Sequence, residues 1–527
     1  MSFTGTIVVS LLLIITVFSR MIPTDFDIFF NSDMLYLPSL YRDLFVDHNS
    51  FKGWNLSPSP AFFPDMTLYF AGMFLFHDFI VVSMVFGLVQ YAGILLLMAF
   101  IFKMIIPQRP LFYASASTVI MMLFLFASAI NKDFLFTFFL VSNTFHTGAF
   151  VMALICLAFT FHYLKYRRNA SLVFIFLLSI VAIISDRLFI IMFLAPFIII
   201  SGFYFFSGDR KKFTPLLIVT VVALIAGIIS FNLISSSRFI YLAKPHKMLD
   251  LSNSWSSFLL LMDQMGTYLG QLNFKTVIII LSLISFLTTV VVVVKDAFLQ
   301  NERRQELTTI YGLFSVLFTV FVFGAPVLSG SYTGWDTLRY NIGAFYLSVL
   351  NVGFLLYLLS EKYKTHDLTA KWIRYVITVF FVFAGFTIGL RFSAKGVKDY
   401  LSYYPEVVKN IDEVAKQENL KLGVGSYWLA KYTTMFSKTN LVVHPVFDPI
   451  APYHHITNQN WFYADTAVYN FIILNRFGDT EAYKKYFGDN QPEIIEGFAR
   501  IVKVPPFRFN PENYQPYFVD TTAINLK

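Results

Sequence analysis

GTIVVSLLLIITVFS at residues 5–19, followed by TDFDIFFNSDMLYLPSLYRDLFVDHNSFKGWNLSPSPAFFPDMTLYF at residues 24–70, sets an apolar helix against a loop of very different chemistry. The apolar run lacks a basic n-region and an A-x-A cleavage site, so it reads as a retained first helix rather than a signal peptide. The loop interleaves Asp25, Asp27, Asp33, Asp43, Asp47 and Asp65 with aromatic residues instead of lysines. A plain connector between two membrane helices needs no such investment, which makes this loop the first place to look for chemistry.

The rest of the chain explains why that loop stands out. Of 527 residues, 57% are hydrophobic, 19% aromatic and only 14% charged, and the mean hydropathy is +0.63. Continuous apolar runs without two-residue alternation predict helices, because every backbone group in hydrocarbon must be bonded within its own segment. The chain reads as an α-helical polytopic membrane protein with about 11 transmembrane helices. Spans are expected near 5–19, 79–102, 111–130, 147–163, 171–184, 188–206, 214–234, 276–294, 307–328, 341–359 and 375–390. The segment 66–76 is too short to span alone and reads either as an interfacial helix or as the start of the second span.

The formal net charge of +8 is gathered in short clusters between apolar runs, as in Lys165, Arg167 and Arg168 or Arg210, Lys211 and Lys212. That is topology rather than a nucleic-acid-binding stripe, and no nucleic-acid partner is expected. Assigning those clusters to the inner loops places the amino terminus inside, and the first loop and the tail outside. The chain thus divides into a membrane domain, 1–390, with an acidic outer loop at 20–78, and an extracytoplasmic domain, 391–527. In the tail, charged helical stretches (YYPEVVKNIDEVAKQENLK, DTEAYKKYFGD) alternate with short β-like runs (NLVVHPVF, YNFIILN, ARIVKV), which predicts a small α/β domain. Cys156, the single cysteine, lies inside an apolar run and supports neither a disulfide framework nor a cysteine metal site.

The combination of many helices, an acidic first outer loop and an outer carboxy-terminal domain resembles the GT-C class of membrane glycosyltransferases, which take a sugar from a polyprenyl-phosphate carrier. NSDMLYLPSLYRDLF is similar to the acidic first-loop motif of that class and puts Asp33 where those enzymes keep a catalytic carboxylate. DTLRYN, Asp336 to Asn341, is similar to an Arg-Tyr element found late in dolichyl-phosphate-mannose and aminoarabinose transferase-like proteins. The resemblance implies an inverting transfer in which Asp33 acts as general base on an acceptor hydroxyl. Arg339, with Tyr340 beside it, would bind the departing carrier phosphate. Met34, not a second acid, follows Asp33, so no cofactor is fixed and a divalent metal stays open.

Other residues compete for or share these roles. Asp25, Asp27 and Asp65 are alternative catalytic or acceptor-binding acids, against helix capping and solvation. His146 in FHTGAF and the pair Asp186 and Arg187 in IISDRLFI would contact sugar or phosphate, or form polar hairpin tips. In the tail, His454, His455 and Trp461 are candidates for sugar recognition, because indole stacks on sugar rings while imidazole bonds hydroxyls. Adjacent histidines in an extended segment point apart, which disfavours a shared metal site. GVGSYW at 423–428 lacks the spacing of a phosphate loop.

The resulting expectation is a bacterial cytoplasmic (inner) membrane enzyme. It would use a polyprenyl-phosphate-linked sugar donor and a glycan, lipid or protein acceptor, among membrane lipids. The alternative is a transporter or flippase of a lipid-linked or anionic solute. That reading predicts ionisable residues near the membrane midplane and related halves, whereas the charges here lie at span ends. A sensor with an outer ligand domain would leave the acidic loop unexplained.

Overall fold

A computed structural model describes residues 2–519 apart from 238, 243–248, 272, 300–305, 448–449, 475–482, 489–490 and 498. The basic residues Arg238, Lys244, Lys247, Arg303 and Arg304, and part of the charged tail stretch at 479–489, lie outside the described residues. The chain forms two compact units, the first made of Met1–Arg20, Ser59–Leu233 and Lys244–Tyr400, the second of Met21–Pro58, Ile234–Ala243 and Leu401–Lys527.

The first unit is helical. Among the described residues, eight of its helices are long and apolar enough to cross a membrane: Phe79–Ile105, Pro110–Asn131, Thr147–Tyr166, Arg210–Ser236, Phe274–Phe298, Leu307–Leu328, Ile342–Tyr363 and Asp367–Arg391. The remaining expected spans correspond to the helix Phe3–Phe18 and the shorter apolar helices Asn169–Ser185 and Ile190–Phe206. Segment 66–76 lies within a third short apolar helix, Phe62–Phe76. A further helix, Leu251–Leu269, has exposed Leu251, Trp255 and Phe258 beside serines and was not anticipated as a span.

Burial sorts these helices. In their most apolar stretches 83% of the residues of Pro110–Asn131 and 78% of those of Ile342–Tyr363 are buried, against 22% in Arg210–Ser236 and Asp367–Arg391, although all four are comparably apolar. Apolar faces of that extent are stable only against lipid. With no hydrophobic force between helices in lipid, the centre is held by close backbone approach and polar contacts. A Cβ on Gly353 would strike the Tyr113 carbonyl, and the Gly353 N–H donates to Ser117 Oγ at 3.2 Å. Gln90 Nε2 donates to the carbonyls of Leu140 at 2.9 Å and Ser142 at 3.1 Å.

Among the described residues, the second unit contains two sheets. Its strands are β1 (Trp54–Leu56), β2 (Tyr241–Leu242), β3 (Leu422–Ser426), β4 (Val442–Phe447), β5 (Ala451–Pro452), β6 (Thr457–Asn458), β7 (Tyr469–Leu474), β8 (Glu493–Glu496), β9 (Ala499–Phe509) and β10 (Pro516–Phe518). Seven of them form one sheet in the order β10-β9-β7-β3-β4-β5, with β8 on β9. β3 runs parallel to β4 and β7. Helix Tyr427–Phe436 makes the crossover from β3 to β4, as a parallel pair requires, so the tail is the α/β domain that its alternating pattern predicts. Gly423 is needed here for packing, since a Cβ would run into the Phe471 ring. The small sheet β2-β1-β6 joins the first loop, segment 234–243 and the tail, with Asn55 opposite Tyr241 and Trp54 opposite Asn458.

Candidate functional site

Each unit gathers one group of the residues singled out from the sequence. In the second unit, Asp33 sits on a turn fixed by Asn31, whose Oδ1 accepts the N–H groups of Asp33 at 3.0 Å and Met34 at 3.1 Å. Ser32 Oγ donates to the Tyr427 carbonyl at 2.6 Å, and the Tyr427 hydroxyl donates to Asp33 Oδ1 at 2.7 Å. Among the described residues, none donates a hydrogen bond to Asp33 Oδ2. Oδ1 is anchored by Tyr427, and the residue is half-buried.

Lys431 follows Tyr427 by four residues, one helical turn, so both side chains occupy one face of the helix. Its amine lies 4.9 Å from the Tyr427 ring centroid, and the residue is only 3% exposed. Burial pushes its pKa down to about 7, against the pull of the Asp33 charge. His455 packs against Tyr427 with ring centroids 5.5 Å apart; burial and then Lys431 lower its pKa, while Asp33 opposes them.

Asp25, Asp27 and Asp43, from the same part of the first loop, have visible structural duties. Asp25 Oδ2 accepts the Ile22 N–H at 2.9 Å at the start of helix Pro23–Phe29. Asp27 accepts the Tyr432 hydroxyl at 2.8 Å. Asp43 is 2% exposed and takes bonds from Trp54 Nε1 at 2.6 Å, Asn49 at 2.8 Å and Asn458 at 3.0 Å. Trp461 Nε1 also donates to Asp43, and its ring stacks on His444 at 5.3 Å. His454 and His455 have different partners, His454 Nε2 lying 3.1 Å from the Tyr463 hydroxyl, where the His455 N–H bonds back to the Tyr453 carbonyl in a tight turn.

In the first unit, three segments meet at one corner. The 59–66 segment is tied to the end of helix Asn169–Ser185 by the Ala61 N–H to the Ser185 carbonyl at 3.0 Å and the Phe63 N–H to Ser185 Oγ at 3.0 Å. Asp186 Oδ2 lies 2.6 Å from His146 Nδ1, and its Oδ1 accepts the Leu188 N–H at 3.0 Å and Ser59 Oγ at 3.2 Å. Burial works to raise the Asp186 pKa, but the histidine and these donors together hold it below the usual range. Asp65 is wedged against Gly148, where a Cβ would overlap Asp65 Oδ2. Burial, reinforced by the Asp186 charge, raises the Asp65 pKa to about 7. Its Oδ1 is buried without a hydrogen-bond partner among the described residues.

Arg339 and Tyr340 join this corner. The Tyr340 ring is 5.0 Å from the His146 ring, and the Arg339 guanidinium lies 5.3 Å from the Tyr340 ring and 5.8 Å from that of Phe145. Both come from the short helix Trp335–Tyr340, which leads into Ile342–Tyr363. Arg187, by contrast, turns to the Phe231 ring at 4.9 Å. Thus Asp65, His146, Asp186, Arg339 and Tyr340 share one corner, and Asp33 and His455 share another group with Tyr427 and Lys431. Among the described residues, no group of three or more His, Cys, Asp or Glu is disposed to hold a metal ion.

Lys431 and Tyr427 were not singled out from the sequence. Their signal is the four-residue spacing within YWLAK, which becomes meaningful only when Asp33 is seen beside it.

No family model and no curated protein matches the sequence. Among solved structures, ArnT from Cupriavidus metallidurans bound to undecaprenyl phosphate is similar with a TM-score of 0.51, covering 95% of this chain and 97% of that one at 11% identity. At that identity the likeness is one of fold: over nearly all of its length the chain has the GT-C-like, ArnT-like architecture that its first loop, its spans and its tail imply.

Proposed function

We propose that this protein is a glycosyltransferase that moves a sugar from a polyprenyl-phosphate carrier to a glycan, lipid or protein acceptor at the outer face of the bacterial cytoplasmic membrane. The observation that carries the reading is the fold shared with ArnT, a protein solved with undecaprenyl phosphate bound. Fold alone does not name an activity; the two polar groups described above give it residues to act with.

In the proposed inverting transfer, Asp33 takes the proton of the acceptor hydroxyl through Oδ2, its Oδ1 being anchored by Tyr427. The hydroxyl oxygen bonds to the anomeric carbon as the bond from that carbon to the phosphate oxygen breaks. The carrier phosphate departs with the electron pair, and Arg339 meets its negative charge with paired donors. Tyr340 holds the guanidinium plane, and His146 and Asp186 provide contacts to sugar or phosphate, whereas Arg187, turned to Phe231, stands aside. Asp65, with its pKa near neutrality, is the alternative acid in acceptor binding. Asp25 and Asp27 support the loop. His455 contributes to a sugar-facing surface of the tail, on the outer side, whereas His454 is engaged with Tyr463 and Trp461 with Asp43 and His444.

The test is mass spectrometry of envelope glycans and lipids from a strain lacking the gene, complemented with wild type, Asp33→Asn or Arg339→Ala. Loss of one sugar, restored by wild type and by neither variant, is the expected result. An unchanged sugar inventory with a lipid-linked precursor trapped on the inner face would replace the transferase by a flippase.

A further inference from the structure

The chemistry proposed for Asp33 leaves a buried amine unused. A lysine stripped of water and given no hydrogen bond is costly unless its charge serves a neighbour. Lys431 Nζ makes no hydrogen bond among the described residues, and the neighbours it has all lead to Asp33.

Three elements of the second unit converge on this amine: the turn bearing Asp33, helix Tyr427–Phe436 itself, and the segment before β6 that carries His455. The titratable and charged groups facing it are therefore Asp33, Tyr427 and His455. The other charged groups near this helix are engaged further along it. Arg42 donates to the Thr434 carbonyl at 2.6 Å and pairs with Asp47 at 3.5 Å, and Asp27 is bonded to Tyr432. Tyr427 connects the pair. Its π face lies against the amine, and its hydroxyl donates to Asp33 Oδ1 at 2.7 Å.

A charged amine is attracted both to the ring face and to the carboxylate, whereas a neutral one loses both attractions. We infer that Lys431 is a positioning residue for Asp33: its charge, acting through the ring and hydroxyl of Tyr427, holds the carboxylate in the orientation that accepts the acceptor proton. The inference rests on the reading of Asp33 as the base. Burial brings the lysine's change of charge to about pH 7, so the hold is present below that pH and is released above it.

The experiment is the pH profile of sugar transfer by purified full-length protein in lipid nanodiscs, between pH 6 and 9. The donor is a synthetic polyprenyl-phosphate sugar of the kind identified by the envelope analysis. The wild type is expected to lose roughly tenfold in rate as pH rises through the neutral range, the equivalent of about one pKa unit. Lys431→Arg, permanently charged, is expected to keep its rate to pH 9. Lys431→Met is expected to be slow at every pH, with no neutral limb. A wild type without the limb, or a limb that survives in either variant, overturns the inference.

Melting curves accompany each variant. Should neither lysine variant fold, Tyr427→Phe decides: a slow enzyme without the limb supports the inference, and an unchanged profile overturns it. The two readings fail differently. Wild-type transfer by Asp33→Asn removes the base assignment itself. An inactive Asp33→Asn together with an unaltered limb in Lys431→Arg removes only the role of the lysine.

Discussion

Asp33 and Asp65 come from the same acidic loop, yet they stand in opposite surroundings. Asp33 accepts a phenol hydrogen bond and has a buried amine for company. Asp65 is enclosed with a second carboxylate, Asp186, and has an oxygen that receives no bond among the described residues. Two adjacent buried anions repel, so one of them is driven to keep its proton. Asp186 has His146, the Leu188 N–H and Ser59 Oγ to sustain its charge, so Asp65 is the one pushed toward its protonated form, its pKa raised to about 7. What a carboxyl can do is set here by partners that lie far away in sequence.

The sharpest way to break this contrast is Asp33→Asn, which keeps shape and removes basicity. A loss of about 10²–10⁴-fold in transfer rate is expected, the usual range for removing a general base, read in single-turnover assays on protein with a wild-type melting curve. Arg339→Ala comes next, with a loss of about 10²–10³-fold as for one preorganised donor at a developing charge. Arg339→Lys should recover only part of it, because a point charge cannot replace a planar fork. Donor affinity unchanged in Arg339→Ala would remove the phosphate role.

Smaller effects sharpen the Asp65 side. Gly148→Ala should force the Asp65 carboxyl from its seat and cost about 1–3 kcal/mol, the usual penalty for overpacking. Combined with Asp65→Ala, which makes room, the two changes should be clearly non-additive in thermal unfolding. Simple additivity would show that Gly148 does not seat the carboxyl.

The smallest effect is one of pH. The folded-state pKa of Asp65 is raised to about 7 from an ordinary 3.8, so its protonated form favours folding at low pH and that contribution is lost as pH rises toward 7. Asp65→Asn, always neutral, should melt above wild type by about 2–4 °C at pH 8 and show a smaller difference at pH 5. An equal difference at both values would mean that Asp65 is not the titrating group.

Much of the fold was legible because membrane helices write themselves into composition: long apolar runs, with basic clusters between them, needed no partner to be recognised. The parallel strands of the tail were likewise visible in NLVVHPVF and YNFIILN. The site was legible only as residue types. DTLRYN marked Arg339, and IISDRLFI marked Asp186, but the bond from His146 to Asp186 and the fit of Asp65 against Gly148 depend on chain segments folded together from afar. Helix Leu251–Leu269 was passed over because its serines dilute the apolar signal on which span recognition rests.

The small sheet β2-β1-β6 has a topological consequence. A sheet cannot be hydrogen-bonded across a bilayer, so residues 54–56, 241–242 and 457–458 share one side of the membrane. The chain must then cross an even number of times between each neighbouring pair. Between β1 and β2 the helices Phe79–Ile105, Pro110–Asn131, Thr147–Tyr166, Asn169–Ser185, Ile190–Phe206 and Arg210–Ser236 satisfy this parity, and Phe62–Phe76 crossing as well would violate it. Between β2 and β6 the helices Phe274–Phe298, Leu307–Leu328, Ile342–Tyr363 and Asp367–Arg391 satisfy it too. Leu251–Leu269 must therefore return to the side it started from, and seven paired strand residues fix the parity of the crossings between them.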